Sequence, residues 1–543
     1  MLIFNLTFVA PSTATNHLIY TTTSLVPPMF TSLGGARTRL LRVPTTSPIR
    51  HQGLVPRNQN HPRHSHSYYS TKGASYTPSN KPRRIALASA LGAPAVWWFN
   101  TNTDTSNTPT SPTNGNTTTN TNTANDAPCL HHPPSADHWF AETGLSEEDE
   151  VTRLISRDAY SFPVRNVPGV SRYDGVQVGS NDPCEDRFVH GKFAAPWGDA
   201  TQGPWMAWGV FDGHLGGQMA EVLRERLLGF VRYRLGLLSS TGGDVSEEAV
   251  HRAIMDGFVS LDDSIVKGAM ELPESEMSLA EKVKRLAPAY AGSCALLSLY
   301  DPASRMLHVA CTGDSRAVLA RKGADGKWEA IPLSVDQTGK NEDEIARLRA
   351  EHPGEDDVVK GGRVLGLAVS RAFGDCQWKW PLEFQEDVQK RFYGPALLTP
   401  RYPVHTPPYL TAEPVVTSTR IGGGEPAFLI MATDGLWDMM SSQQAVDLVG
   451  KWLEGDDKSS RPGMKSAGRF DFSRFWNGVD WRFVEGRTAV QDENAAVHLV
   501  RNSLGGNHHE MIAGRLAFSF PASRRVRDDV TVQVVFFHEG PHK

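Results

Sequence analysis

The sequence predicts a mixed α+β body, on three observations. Apolar runs of strand length end in aspartate: Trp205 to Phe211 before Asp212, Val309 to Thr312 before Gly313-Asp314, and Ala427 to Thr433 before Asp434. Two other stretches carry apolar residues at helical spacing, and one pair of strand-like runs is separated by turn residues. Near the C-terminus the order is reversed, with Asp528-Asp529 immediately before the strand-like Val530 to Phe537. Carboxylates at strand ends, drawn from four distant parts of the chain, are how a hard divalent cation acquires an all-oxygen cage. A lone Asp212-Gly213-His214 is weak evidence, because Asp-Gly is ordinary turn chemistry. The repetition gives it weight.

The front of the 543-residue chain is a different material. Met1 to Arg84 holds eight arginines and two lysines and no acid, and the first acidic residue is Asp104. With −5 on the whole chain, the remainder carries −5 − 10 = −15, which argues against nucleic acid as a partner. An acid-free, Arg-, Ser- and Thr-rich start over 1–84 is the signature of an organelle transit peptide, read here as mitochondrial in keeping with the resemblance given below. The apolar run 85–99 is short for a membrane span and contains Gly92 and Pro94. It reads either as a sorting signal or as a marginal inner-membrane anchor, the only candidate membrane contact. The matrix is the favoured compartment; an anchor with its positive flank inside would instead face the body toward the intermembrane space. Residues 100–127 are almost entirely Asn, Thr, Ser and Pro, with too little apolar surface to fold, and read as a disordered linker. The folded body is expected over 134–543. Five cysteines without a CxxC pair suggest reduced thiols, mostly small core residues in strands, and no zinc site.

Within the body, Glu185-Asp186 lies in a polar turn before Phe188-Val189, the distance of a neighbouring strand and loop from Asp212. Gly216-Gly217 permits a helix start. Met219, Val222, Leu223, Leu227, Phe230 and Val231 follow at helical spacing, and Val250, Ile254, Phe258, Leu261 and Ile265 mark a second helix over 247–265. Residues 266–288 read as a charged, partly helical excursion. Ala291 to Tyr300 and Met306 to Cys311 read as a hairpin around Asp301-Pro302, with Ala317 to Arg321 continuing the meander. A charged helix runs from Glu342 to His352, stopped by Pro353-Gly354.

Taken together, Glu185-Asp186, Asp212-Gly-His-Leu-Gly216, Gly292-Ser-Cys-Ala295, Gly313-Asp-Ser-Arg316, Ser370-Arg-Ala-Phe-Gly-Asp375, Thr411-Ala-Glu-Pro414, Asp434-Gly-Leu-Trp-Asp438 and Asp528-Asp-Val-Thr531 resemble, in order, the motifs of the type 2C metal-dependent protein phosphatases. Leu333 to Thr338 with Asn341 to Pro353, and Thr406 to Pro414, resemble the mitochondrial pyruvate dehydrogenase phosphatase branch. The resemblance implies a four-layer α-β-β-α sandwich of two antiparallel sheets flanked by helices, with a binuclear metal cleft at one end. It implies a protein serine/threonine phosphatase in which a metal-bridging water attacks the phosphoryl group. The phosphoprotein substrate implied is the pyruvate dehydrogenase complex. The alternatives are another mitochondrial phosphoprotein, or a non-catalytic pseudophosphatase that uses the fold for binding.

By matched position, Glu185, Asp212, Gly213 (through its carbonyl), Asp434 and Asp528 hold two divalent ions, magnesium or manganese. Asp314 and Asp438 match positions of a third, weaker ion. On the same resemblance Asp186 would orient a metal-bound water, and His214 is the candidate general acid, since a seryl alkoxide is a poor leaving group. Many family members carry an arginine four residues before the first Glu, where it holds the substrate phosphate; here that position is Asn181. Arg187 either takes over some of that task or forms a surface ion pair. Three insertions are expected: 378–409, aromatic and proline-rich, near the cleft and a candidate for substrate choice; 455–486, whose aromatics read as a satellite core; and 502–515, whose His508-His509 is no metal site alone.

Overall fold

The computed structural model describes residues 147–197, 203–238, 245–422, 426–455, 469–477 and 481–537. The segments 1–84, 85–99 and 100–127, Cys129, and parts of the 455–486 insertion lie outside them. Among the described residues no helix is long and apolar enough to cross a membrane.

Eleven strands in two antiparallel sheets build the frame. The first sheet contains β1 (Tyr160–Pro163), β2 (Val170–Val178), β7 (Arg316–Lys322), β8 (Trp328–Pro332), β10 (Ala427–Ala432) and β11 (Val530–Phe537). Its spatial order is β1-β2-β11-β10-β7-β8. The second contains β3 (Arg187–Phe193), β4 (Trp205–Phe211), β5 (Ala295–Asp301), β6 (Met306–Thr312) and β9 (Val415–Arg420), in the order β9-β6-β5-β4-β3.

The sheets stack because central strands are apolar on both faces. In β10, Phe428, Ile430 and Ala432 face one core while Ala427, Leu429 and Met431 face another. Period-two alternation splits them, and a one-residue slip would exchange the two sets. Full burial of a side chain such as Leu429 contributes roughly 1.5–3 kcal/mol. The core between the sheets takes Trp208, Leu296, Val309, Leu319 and Leu429. Outside the first sheet pack α1 (Glu147–Ile155), α7 (Ser442–Glu454) and α8 (Ala495–Leu504). Outside the second pack α2 (Gln218–Leu238) and α3 (Glu247–Val266), through Leu223, Leu227, Ile254 and Phe258. The result is the α-β-β-α layering.

The meander expectation is corrected. β6 and β7 do not pair; β7 lies in the other sheet, beside β10. At Gly313 (φ 105°) the chain turns from one sheet into the other, in a conformation that L side chains disfavour and against which Cys294 leaves no room for a Cβ. The charged excursion resolves into a 3₁₀ turn at Gly268–Glu271 and α4 (Leu279–Tyr290). The charged helix is α5 (Glu342–Glu351), begun by Asn341, whose side chain accepts the Asp343 N–H at 3.0 Å. Of the four described cysteines only Cys311 lies within a strand, and all four are free thiols.

Two insertions carry their own small cores. Trp380, Val388 and Phe392, the latter two on α6 (Leu382–Phe392), pack on Val266 and Leu286. Trp378 and Tyr409 join Cys294 and Leu348. Phe475 and Trp481 pack with Met511 on α9 (His509–Ala517) and Val526. His508 caps α9, accepting the Met511 N–H at 3.4 Å.

Candidate active site

Antiparallel register brings the acids to one end of the sandwich. Arg187 at the start of β3 pairs with Phe211 at the end of β4, so Glu185-Asp186 arrives beside Asp212. Ala295 opens β5 opposite Thr312, the last residue of β6, and Asp314 follows two residues later. Ala432 ends β10 opposite Arg316 and Val532, placing Asp434 and the Asp528-Asp529 pair at the same end.

Asp212, Asp314 and Asp434 converge, each offering a carboxylate oxygen within 4.8 Å of the others. All three have pKa values above the ordinary aspartate value. Desolvation is the leading cause in each, and for Asp212 and Asp434 the neighbouring carboxylates add to it. Asp186 is buried behind them; its Oδ2 accepts the Thr433 hydroxyl at 3.0 Å and the Thr531 hydroxyl at 2.7 Å. Its Oδ1 is buried with no hydrogen-bond partner. Desolvation and Asp529 raise the Asp186 pKa as well. Converging anions with an unspent oxygen behind them fit hard divalent cations, which relieve the repulsion and prefer an all-oxygen set.

The other expected residues are placed as follows. Glu185 accepts the Asn181 side-chain amide at 3.2 Å, and its pKa is raised by desolvation and by Asp529. Gly213 has no room for a Cβ because the Glu185 carbonyl and Ala220 close over it. Asp438 sits one turn beyond Asp434 in the short helix Asp434–Trp437 and is exposed, outside the group of three. Asp528 is also outside that group; it accepts the Asp529 N–H at 2.7 Å and is ion-paired with Arg524. Asn181 spends its side-chain donors on Asp529 and Glu185. Arg187 forms an ion pair: its Nε donates to Glu221 at 2.6 Å, and its Nη1 to the Cys184 and Asp186 carbonyls, each at 2.7 Å.

His214 Nε2 donates to Asp375 Oδ2 at 2.8 Å. Desolvation opposes charging of the ring, but the Asp375 carboxylate together with Asp314 and Glu185 outweighs it, and the net pKa lies above the ordinary histidine value. Gly292 lies between the two side chains, where a Cβ would overlap both.

Asp375 and Asp529 stand within the sequence motifs, where neither has a role legible from its position. Asp529 Oδ1 accepts the Ser180 and Asn181 N–H groups, and its Oδ2 accepts the Glu185 N–H at 2.9 Å. It therefore closes the loop that carries Glu185. The sequence signal for Asp529 is its place directly before the apolar run Val530 to Phe537; its burial, which demands nearby donors, is seen only in the structure.

This sandwich, with carboxylates gathered at one end and a histidine beside them, has the architecture and acid cluster expected of a metal-dependent phosphatase. The match to known families agrees: residues 174–464 fit the model of protein phosphatase 2C, and the chain belongs to that family. A protein phosphatase 2C homolog of Schizosaccharomyces pombe is 41% identical over 406 residues, covering 73% of this chain and 86% of the relative. The mitochondrial pyruvate dehydrogenase (acetyl-transferring)-phosphatase 1 of Saccharomyces cerevisiae is 33% identical, covering 73% of each chain. The Homo sapiens protein of that name is 31% identical, covering 72% of this chain and 82% of the relative. The chain is thus a metal-dependent protein serine/threonine phosphatase resembling the pyruvate dehydrogenase phosphatase branch, with a phosphoprotein as substrate.

Proposed function

We propose that the chain is a mitochondrial phosphatase of the pyruvate dehydrogenase complex, removing phosphate from serine. The convergence of Asp212, Asp314 and Asp434 carries the chemical part of this reading. The mitochondrial names of the 33% and 31% identical relatives support the target, as does the acid-free start of the sequence.

Asp212, Glu185, Gly213, Asp434 and Asp528 would hold two divalent cations, magnesium or manganese, and Asp314 and Asp438 a third. Bound there, the cations supply charge neutralisation of the phosphoryl oxygens and a water of lowered pKa. The chain's own residues do the rest. Asp186, fixed by Thr433 and Thr531, keeps Oδ1 as an acceptor that orients a water proton. His214 gives a proton to the departing seryl oxygen, and Asp375 holds the imidazolium in place for it. Asn181 and Arg187 shape the phosphate-facing loop from inside, through Asp529, Glu221 and the loop carbonyls.

The test is phosphate release from phosphorylated pyruvate dehydrogenase with magnesium or manganese, then with excess chelator, beside an Asp434→Asn control. Release that needs metal and disappears in the control supports the whole reading. Turnover of a small aryl phosphate without release from pyruvate dehydrogenase keeps the phosphatase and removes the target.

A further inference from the structure

A buried ion pair lies behind the His214–Asp375 contact. Asp262 on α3 is 6% exposed and Lys379 is 9% exposed. Lys379 Nζ donates to Asp262 Oδ2 at 2.7 Å and to the Ala372 carbonyl at 2.8 Å. The other oxygen, Asp262 Oδ1, accepts the Gly374 N–H at 2.8 Å. One carboxylate and one ammonium thus hold both sides of the turn that presents Asp375.

That turn needs holding. Gly374 (φ 68°) and Asp375 (φ 50°) both lie in the left-handed region. A non-glycine residue there costs of the order of 1–3 kcal/mol and persists only where its surroundings dictate it. Gly374 pairs with Gly292, which in turn pairs with His214, so the three short segments form a ribbon with the histidine at its far edge. The Asp375 N–H donates to the Ala291 carbonyl at 3.0 Å. Stability alone is a poor reason for the pair, because apolar residues of like volume often serve as well in a core.

We propose that Asp262 and Lys379 are positioning residues for the reaction. The pair fixes the Gly374-Asp375 turn and, through Asp375, the ring of His214. Proton donation to the leaving oxygen then depends on two side chains that touch neither substrate nor metal. Lys379 belongs to the 378–409 insertion, which is thereby tied to the proton donor. The inference rests on His214 being the acid.

The experiment compares kcat on a phosphoserine peptide and on p-nitrophenyl phosphate, whose leaving group departs without a proton. Asp262→Leu combined with Lys379→Met removes the turn's anchor without stranding a charge. Asp262→Asn keeps an acceptor for the Gly374 N–H, and His214→Gln calibrates the loss of the acid. Melting temperatures identify any variant that fails to fold. The double variant is expected to lose roughly tenfold or more on the peptide and less than about twofold on the aryl phosphate. Asp262→Asn should recover most of the peptide activity. Equal losses on both substrates, or no loss on either, overturn the positioning role; if the double variant does not fold, Lys379→Met alone, which removes the support at the Ala372 carbonyl, is read by the same criterion. If His214→Gln does not separate the substrates, the acid assignment itself fails, and the inference with it.

Discussion

Asp529 accepts the backbone N–H of Glu185 at 2.9 Å, joining the start of β11 to the loop before β3 across 344 residues of sequence. The carboxylate also holds Asn181, by its backbone at 2.9 Å and its side chain at 2.9 Å. Glu185 is therefore presented by a loop whose shape Asp529 dictates. Asp529→Ala is expected to weaken divalent-metal activation by roughly 10–100-fold, the usual cost of losing an outer partner of a metal ligand. The half-saturating manganese concentration checks this. An unchanged value would show that the loop closes without Asp529.

Asp186 depends on two hydroxyls, from Thr433 and Thr531. Thr531→Val keeps the shape and deletes the shorter bond. We expect kcat to fall about tenfold, with metal activation little changed, because the group that moves orients water. Steady-state kinetics over a manganese series separates the two effects.

The ends of β4 and β10 were legible because each strand is an apolar run that stops at an acid, and the start of β11 because its run begins beside two. Antiparallel pairing did the rest. The passage from β6 to β7 was not legible, since Gly313 marks a turn in either case and only tertiary pairing decides which sheet receives the next strand. Asp375 stood in a motif, yet its partner His214 is 161 residues away, and no local spacing reports such a contact. Arg187 showed the same limit: its ion-pair reading required Glu221, on a helix 34 residues on.

Glu344 sets an acid limit on stability. Burial pushes its carboxyl up, but the hydrogen bonds of Arg371 and Arg347 outweigh that and hold it at about 2, against an ordinary 4.5. A depressed folded-state pKa contributes stability that is fully present above about 4.5 and is lost as pH falls toward 2. The shift caps the contribution at about 3.4 kcal/mol, which solvent screening reduces. Urea unfolding across that window should show a decline in the wild type that Glu344→Gln flattens. Identical slopes would remove Glu344 as the cause.

Arg501 is fully buried and ion-paired with Asp492 at 2.8 Å, beneath α1. Asp492→Ala leaves a guanidinium without its anion and should destabilise the fold by about 3–5 kcal/mol. The urea midpoint reads this directly. Metal activation of the protein that remains folded should be unaltered, since the pair is remote from the acids in sequence and sheet position.

The convergence of Asp212, Asp314 and Asp434 makes divalent-cation binding by these three acids the property to measure. Calorimetric titration of manganese into the chelator-stripped chain, beside Asp212→Asn and Asp434→Asn of matched melting temperature, tests it most directly. At least two sites per wild-type chain are expected, with one or more lost in each variant and phosphate release lost in parallel. Unchanged stoichiometry and affinity in both variants would contradict it.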